Sequence, residues 1–203
     1  MSTPLRLSNI EVFSKPFHYI VSPEAFDPQA GHTILAWLES NAPWELVEAD
    51  FYEQFECSLR EVQLPTSLSF LCEHAFVAAI RQRMAELFKV DLGHRVDITA
   101  HKLVPGQRIR LHNDFILGAE THRLLIQLNR GWQDNNGGLL LFFNSADSAD
   151  IHKVFLPVHN SAVGFAISTT SYHAVSTIHA GERFTLVYSF YEQKGHGQSP
   201  YHC

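Results

Sequence analysis

The sequence has few cysteines, no long apolar run and no cluster of basic residues. Cys57, Cys72 and Cys203 are too few and too widely spaced for a zinc-ligand pattern or a disulfide framework. This predicts a cytoplasmic chain with reduced thiols. The N-terminus shows no apolar segment of signal-peptide length. Apolar stretches such as residues 139–143 are too short to span a bilayer, so we expect no membrane partner.

Charge argues against nucleic acid as a partner. Lysine and arginine total 15 against 21 acidic residues, which gives a formal net charge of −6 with histidines neutral. Proteins that bind nucleic acid usually present a basic face to the phosphates. The 203 residues, 45% of them hydrophobic, suit a single domain with a sizeable core.

Two segments of the first half are typical of helix starts. Ser22-Pro23-Glu24 and Asp27-Pro28 both resemble an N-cap followed by a first-turn proline. An apolar stripe at helical spacing follows Asp27-Pro28, and another extends through a predicted helix from about Ser67 to Phe88. We therefore expect a helical prelude over residues 1–95.

From Val96 onward the pattern changes to short strands separated by turn residues. The predicted strands are 96–104, 108–112, 122–129, 138–143, 153–158, 162–168, 173–178 and 183–191. About eight short strands after helices predict a mainly β fold with flanking α-helices: a double-stranded β-helix (jelly roll) over 96–193, braced by the N-terminal helices. The open mouth of such a fold can hold a ligand pocket.

Three residues in this half form a candidate metal site. His112 and Asp114 stand two apart near a strand end, so we expect strand alternation to place both side chains on one face. His173, at the start of a later strand, is the best third ligand. Two imidazoles and one carboxylate form the facial triad of iron(II) oxygenases, which leaves positions open for other ligands.

Arg183 is a candidate anchor for an anion. A strand and a turn separate it from His173, and we expect a hairpin that brings His173 and Arg183 together. Alternation places Arg183, Thr185 and Val187 on one face. An inward guanidinium requires a negative partner, since an unpaired buried charge is costly. A dicarboxylate that chelates the metal at one end would supply it; a surface arginine at a hairpin is the alternative.

The set His112, Asp114, His173 and Arg183 resembles the 2-oxoglutarate/Fe(II) dioxygenase superfamily, in its prolyl-hydroxylase-like branch. The flanking sequences are also similar to that branch over roughly residues 96–191. A turn and a strand at 104–114 lead into the metal motif. The strand in 123–132 ends in Leu-Asn before a Trp, and a Gly-Gly-x-Leu strand follows that Trp. The resemblance implies Fe(II), 2-oxoglutarate and O2, with ascorbate open as a reductant. Where that branch often has a tyrosine on the oxoglutarate tail, this chain has Gln127; Gln127 and Thr185 are candidate donors to the co-substrate.

The resemblance further implies hydroxylation of an aliphatic C–H bond, in an amino-acid residue of a peptide. A free amino acid or a natural-product intermediate remains an alternative substrate, and Phe115, Arg123 and Trp132 are candidate substrate contacts. The superfamily's nucleic-acid demethylases usually have a second arginine soon after the first, and none follows Arg183. Two rival classes remain: a cupin-like metalloenzyme that does not use 2-oxoglutarate, and a non-catalytic binding module.

Overall fold

The computed structural model describes residues 4–193, which form fourteen β-strands, two α-helices and two short 3-10 helices. The first half contributes β1 (Leu5–Ser8), β2 (Glu11–Phe13), β3 (Tyr19–Ser22), β4 (Glu24–Phe26), α1 (Pro28–Ser40), β5 (Glu45–Ala49), β6 (Tyr52–Ser58), a 3-10 helix (Ser69–Cys72) and α2 (His74–Phe88). The second half contributes β7 (Leu92–Leu103), β8 (Ile109–His112), β9 (His122–Gln127), a 3-10 helix (Asp134–Asn136), β10 (Leu140–Phe143), β11 (Ile151–Phe155), β12 (Ala162–Ala166), β13 (His173–Val175) and β14 (Arg183–Glu192).

Twelve strands form one curled antiparallel sheet. Its order is β11-β10-β13-β8-β6-β7-β14-β9-β12-β3-β2, with β5 paired to β6, and β1 pairs separately with β4. The curl brings the β11-β10-β13-β8 part over the β7-β14-β9-β12 part, which confirms the predicted mainly β jelly roll. All eight strands predicted after Val96 are present, with ends that differ by a few residues.

The first half is less helical than predicted. It contains six strands, and β2, β3, β5 and β6 extend the main sheet. The predicted helix start at Ser22-Pro23-Glu24 is wrong, because Ser22 ends β3 and Glu24 begins β4. The hydroxyl of Ser22 donates to the backbone carbonyl oxygens of Ser8 and Glu24, so it stabilises a strand connection instead of capping a helix.

The residue that precedes each helix explains where that helix begins. Asp27 caps α1 by accepting from the backbone N–H of Gln29 at 3.0 Å, and Pro28 occupies the first turn. The helix predicted from Ser67 begins at His74, because Glu73 has extended backbone angles that separate it from the preceding 3-10 helix. No helix within residues 4–193 is long and apolar enough to cross a membrane.

Strand alternation divides the main sheet into a helix-facing side and a side that faces the cavity. On β14, Leu186 and Tyr188 are fully buried in the cluster that contains the apolar faces of α1 and α2. Each such side chain contributes roughly 1.5–3 kcal/mol by burial. Arg183, Thr185 and Val187 point to the opposite side, between the two parts of the curled sheet, as their spacing predicts. Cys57 and Cys72 are free thiols, and Cys203 lies outside the described residues.

Candidate metal and anion site

The three predicted metal ligands meet at one end of the cavity. His112 ends β8, His173 begins β13, and the two are direct partners in the antiparallel register. One ligand atom from each of His112, Asp114 and His173 lies within 4.8 Å of the others. Asp114 lies beyond the strand, with a left-handed φ of 54° that Asp tolerates better than most residues. A turn, and not the predicted strand alternation, therefore brings the carboxylate to the histidines.

Backbone carbonyls orient both imidazole rings. Nδ1 lies 2.8 Å from the carbonyl oxygen of Arg110 in His112 and of Ser171 in His173. Because a carbonyl only accepts, each Nδ1 carries a proton, and Nε2 of each ring is turned toward Asp114. These Nε2 atoms lie 3.2 and 3.1 Å from carboxylate oxygens of Asp114. Two imidazole nitrogens and one carboxylate that converge in this way form a donor set that fits Fe(II).

The protonation states suit metal binding. Burial would raise the pKa of Asp114, but its contacts with His112 and His173 and the charge of Arg123 outweigh burial and hold that pKa well below its usual range. Burial lowers the pKa of His173 more than the nearby carboxylate raises it. An ionised carboxylate and a neutral imidazole are the forms that coordinate a metal.

Arg123 contacts the metal carboxylate directly. Its Nη1 donates to Oδ2 of Asp114 at 2.7 Å, and its Nη2 pairs with Glu120. The side chain of Arg123 is only 18% exposed, so the ion pair is well shielded from water. The predicted substrate contact of Arg123 stays a prediction. In this geometry Arg123 orients Asp114.

Arg183 is a buried cation with free donors. Its Nη1 donates to the hydroxyl of Thr185 at 2.8 Å, and that hydroxyl donates to Oε1 of Gln127 at 3.0 Å. Nε and Nη2 are buried and have no hydrogen-bond partner within residues 4–193. Burial lowers the pKa of Arg183 to about 10, so the group stays charged at neutral pH. Two free donors on a buried charge fit one carboxylate of a dicarboxylate such as 2-oxoglutarate.

Gly137 and Gly138 leave the space that the side chain of Arg183 occupies. At Gly138, φ is +65°, and an added Cβ would lie 2.9 Å from Cδ of Arg183 and 2.5 Å from Cδ1 of Ile178. At Gly137 a Cβ would lie 2.0 Å from the carbonyl oxygen of Thr177. Only glycine allows this close approach at these backbone angles. The Gly-Gly motif therefore supports the anion site, because the absence of side chains lets Arg183 pack against this segment.

The hairpin predicted between His173 and Arg183 is wrong. Strand β13 pairs with β10 and β8, whereas β14 pairs with β7 and β9. The intervening chain crosses from one part of the curled sheet to the other. His173 and Arg183 still line the same cavity, although their strands do not pair with each other.

One cavity of about 360 Å³ joins the metal ligands to Arg183. Five aliphatic side chains form much of its wall: Ile109, Leu125, Leu140, Val175 and Val187. Phe51 stacks on His112, with ring centroids 4.3 Å apart. An apolar wall between a metal site and a cationic anchor suits the methylene groups of a bound oxoacid.

Phe115 and Trp132, the other two predicted substrate contacts, lie in different parts of the structure. Phe115 directly follows the metal motif, is 42% exposed and lies at the rim with the more exposed Ile116. Trp132 is buried, and its Nε1 donates to the carbonyl oxygen of Gly137 at 2.9 Å. It does not line the cavity that holds the metal ligands. Its predicted substrate contact gains no support from this placement.

The first half of the chain contributes a polar wall that the predicted site did not include. Tyr52, Gln54 and Glu56 on β6 line the cavity beside His101 on β7. Burial above all lowers the pKa of His101 to about 4, so its ring is neutral. Alternating polar residues in β6 were the available signal, but only the pairing of β6 with β7 places them at the site.

Comparisons with known proteins agree with this geometry. Residues 98–191 match the 2OG-Fe(II) oxygenase superfamily. A Pseudomonas putida prolyl-4-hydroxylase superposes with a TM-score of 0.63 at 18% identity, over 81% of this chain and 85% of that one. A 2OG-Fe(II) oxygenase family protein from Burkholderia pseudomallei gives 0.64 at 20% identity, over 87% and 86%. A Trichoplax adhaerens prolyl hydroxylase, in complex with a hypoxia inducible factor peptide fragment, gives 0.70 at 10% identity, over 86% and 83%.

Proposed function

We propose that this chain, whose residues 98–191 match the 2OG-Fe(II) oxygenase superfamily, hydroxylates an aliphatic C–H bond of an amino-acid residue in a peptide. The observation that carries the proposal is the buried guanidinium of Arg183, with two free donors, in one cavity with His112, Asp114 and His173. The proposed compartment is the cytoplasm, and the proposed partners include neither nucleic acid nor a membrane.

The polar groups of the metal and anion site each have a role in this proposal. His112, Asp114 and His173 would hold Fe(II), and Arg183 would hold the far carboxylate of 2-oxoglutarate through Nε and Nη2. Iron, 2-oxoglutarate and O2 together supply the oxidising chemistry for the C–H bond. The protein fixes the imidazole tautomers through backbone carbonyls and orients the carboxylate through Arg123. Thr185 and Gln127 keep the guanidinium in place.

A peptide substrate is supported by the similar structures and by the shape of the site. Two of the similar structures are prolyl hydroxylases, and one of them is described in complex with a peptide. In this chain the metal ligands lie next to an open, partly apolar rim that includes Phe51, Phe115 and Ile116. An extended peptide can lie on such a rim while one side chain reaches the metal. A free amino acid or a natural-product intermediate is the alternative substrate.

The competing activity is that of a cupin-like metalloenzyme that does not use 2-oxoglutarate. It would need the same three metal ligands but not Arg183. The unpartnered, buried guanidinium favours the oxoacid, because nothing else within residues 4–193 compensates that charge.

The test is optical and chemical. Under anaerobic conditions, protein with Fe(II) and 2-oxoglutarate should develop a weak visible charge-transfer band, and aerobic turnover should release succinate even without substrate. Arg183→Ala should abolish both. Arg83→Ala removes an arginine that is 43% exposed on α2 and should change neither. Absence of the band in folded, iron-loaded wild-type protein would exclude the proposed function.

A further inference from the structure

The polar wall of the cavity presents two neighbouring hydrogen-bond acceptors. Gln54 is 2% exposed, and it lines the cavity together with Glu56, two residues along β6. Nε2 of Gln54 donates to Oε1 of Glu56 at 2.8 Å. Because a carboxylate only accepts, this contact fixes which end of the Gln54 amide is the NH2 group. Oε1 of Gln54 is therefore an acceptor, and it is buried with no hydrogen-bond partner in the described chain.

Glu56 also lacks a cationic partner. The other carboxylates that line the cavity are each paired with an arginine, since Asp97 contacts Arg95 while Asp114 and Glu120 contact Arg123. No such ion pair involves Glu56 within residues 4–193.

The neighbours of Glu56 do not neutralise its charge. His101 is its direct partner on β7, and the ring of His101 is neutral because burial lowers its pKa. On the other side, Glu45 of β5 is the partner of Glu56 and adds a like charge. The wall at Gln54 and Glu56 is therefore negative and rich in acceptors.

This acceptor pair lies close to the metal ligands. Tyr52, two residues from Gln54 on β6, lines the same cavity and is paired with Ile109 of β8, the strand that ends at His112. A ligand at Glu56 and Gln54 therefore shares the cavity with the metal ligands.

The oxoacid cannot satisfy these acceptors. At neutral pH 2-oxoglutarate carries two carboxylates and a ketone, so it has no N–H or O–H to donate and would be repelled by Glu56. Donors from a second ligand would complete these contacts. Resting on the function proposed above, we propose that the substrate binds Glu56 and Gln54 through a cationic nitrogen group, an ammonium or guanidinium, which places a nearby C–H bond at the metal. Such a group offers the charge and the N–H donors that the wall lacks.

The test compares small probes that differ in positive charge. Calorimetry would use the protein loaded with Mn(II) and 2-oxoglutarate under anaerobic conditions. Nα-acetyl-L-lysine amide carries a side-chain cation as in a peptide, L-norleucine amide carries only an α-ammonium, and Nα-acetyl-L-norleucine amide carries none. At least one cationic probe should bind about 10-fold or more tightly than the neutral probe. The better cationic probe distinguishes a peptide side chain from a free amino acid.

Two variants with the same loss of charge locate the site. Glu56→Gln should weaken the cationic probe about 10-fold or more and leave the neutral probe unchanged. Glu53→Gln is the control, because Glu53 lies on the same strand, is exposed and contacts Gln107 outside this cavity. It should change neither probe.

The outcomes separate this inference from the proposed function. If the visible band with Fe(II) and 2-oxoglutarate is absent from wild type, the proposed function fails. If the band forms but no cationic probe binds, or the neutral probe binds equally well, or Glu56→Gln has no effect, only the cationic substrate is excluded. If Glu56→Gln does not fold, the comparison of probes on wild-type protein decides.

Discussion

Replacing Arg183 with methionine should stabilise the ligand-free protein while removing its response to 2-oxoglutarate. Burial without a counter-charge lowers the pKa of Arg183 to about 10. Relative to an ordinary arginine, this corresponds to about 3 kcal/mol of unfavourable free energy for the charged form. Both the folded and the unfolded chain are protonated at neutral pH, so the full cost is present there. An apolar side chain of similar length removes this cost and loses one hydrogen bond, to Thr185, worth about 1 kcal/mol.

The expected gain in the free energy of unfolding for Arg183→Met is therefore about 1–3 kcal/mol without ligand. Ligand offsets this advantage. Each free donor, Nε and Nη2, would make a charge-assisted hydrogen bond worth about 1.5–3 kcal/mol, so the affinity for 2-oxoglutarate should fall roughly 100-fold or more. Wild type at 100 times its dissociation constant should gain about 2.7 kcal/mol, and the variant almost nothing.

Urea unfolding of metal-loaded protein, with and without 2-oxoglutarate, measures both effects. Arg130→Met serves as the control, because Arg130 is 57% exposed and paired with Glu39 on the surface, and it should leave both measurements unchanged. A variant at Arg183 that is less stable without ligand and still stabilised by 2-oxoglutarate would refute the reasoning.

Three further predictions follow from other contacts. Arg123→Gln loses the ion pair that orients Asp114, so metal affinity should fall about 10–100-fold in a metal titration, and an unchanged affinity would exclude this orienting role. Thr185→Val removes the hydroxyl between Arg183 and Gln127, so the affinity for 2-oxoglutarate should fall about 10-fold by calorimetry, whereas Thr33→Val on the exposed face of α1 should leave it unchanged. Leu186→Ala opens a cavity between the sheet and the helices and should cost about 2–5 kcal/mol in urea unfolding; a loss below 1 kcal/mol would mean that this core repacks.

The second half of the fold was largely predictable, because its signals are local. Alternation along β14 correctly placed Arg183, Thr185 and Val187 on the cavity side, and turn residues located the eight strands. The N-cap signal was ambiguous. Asp27 and Ser22 both precede a proline, but Asp27 accepts from a helical N–H while Ser22 donates to backbone carbonyls in a strand connection.

The rest depended on contacts between residues distant in sequence. The ten residues from His173 to Arg183 suit a hairpin as well as a crossing between two parts of a sheet, and only the partners of β13 and β14 distinguish them. The wall at Gln54 and Glu56 likewise requires β6 to pair with β7, about 45 residues later in the chain. The left-handed turn at Asp114 has no signal in the spacing of the motif.

The most direct test of the central claim is a crystal structure of the protein grown anaerobically with Mn(II) and 2-oxoglutarate. We expect one metal ion bound by Nε2 of His112, a carboxylate oxygen of Asp114 and Nε2 of His173. We also expect the oxoacid to chelate that ion and to place its far carboxylate on Nε and Nη2 of Arg183. A metal held by other residues, or an oxoacid whose far carboxylate does not contact Arg183, would contradict the account.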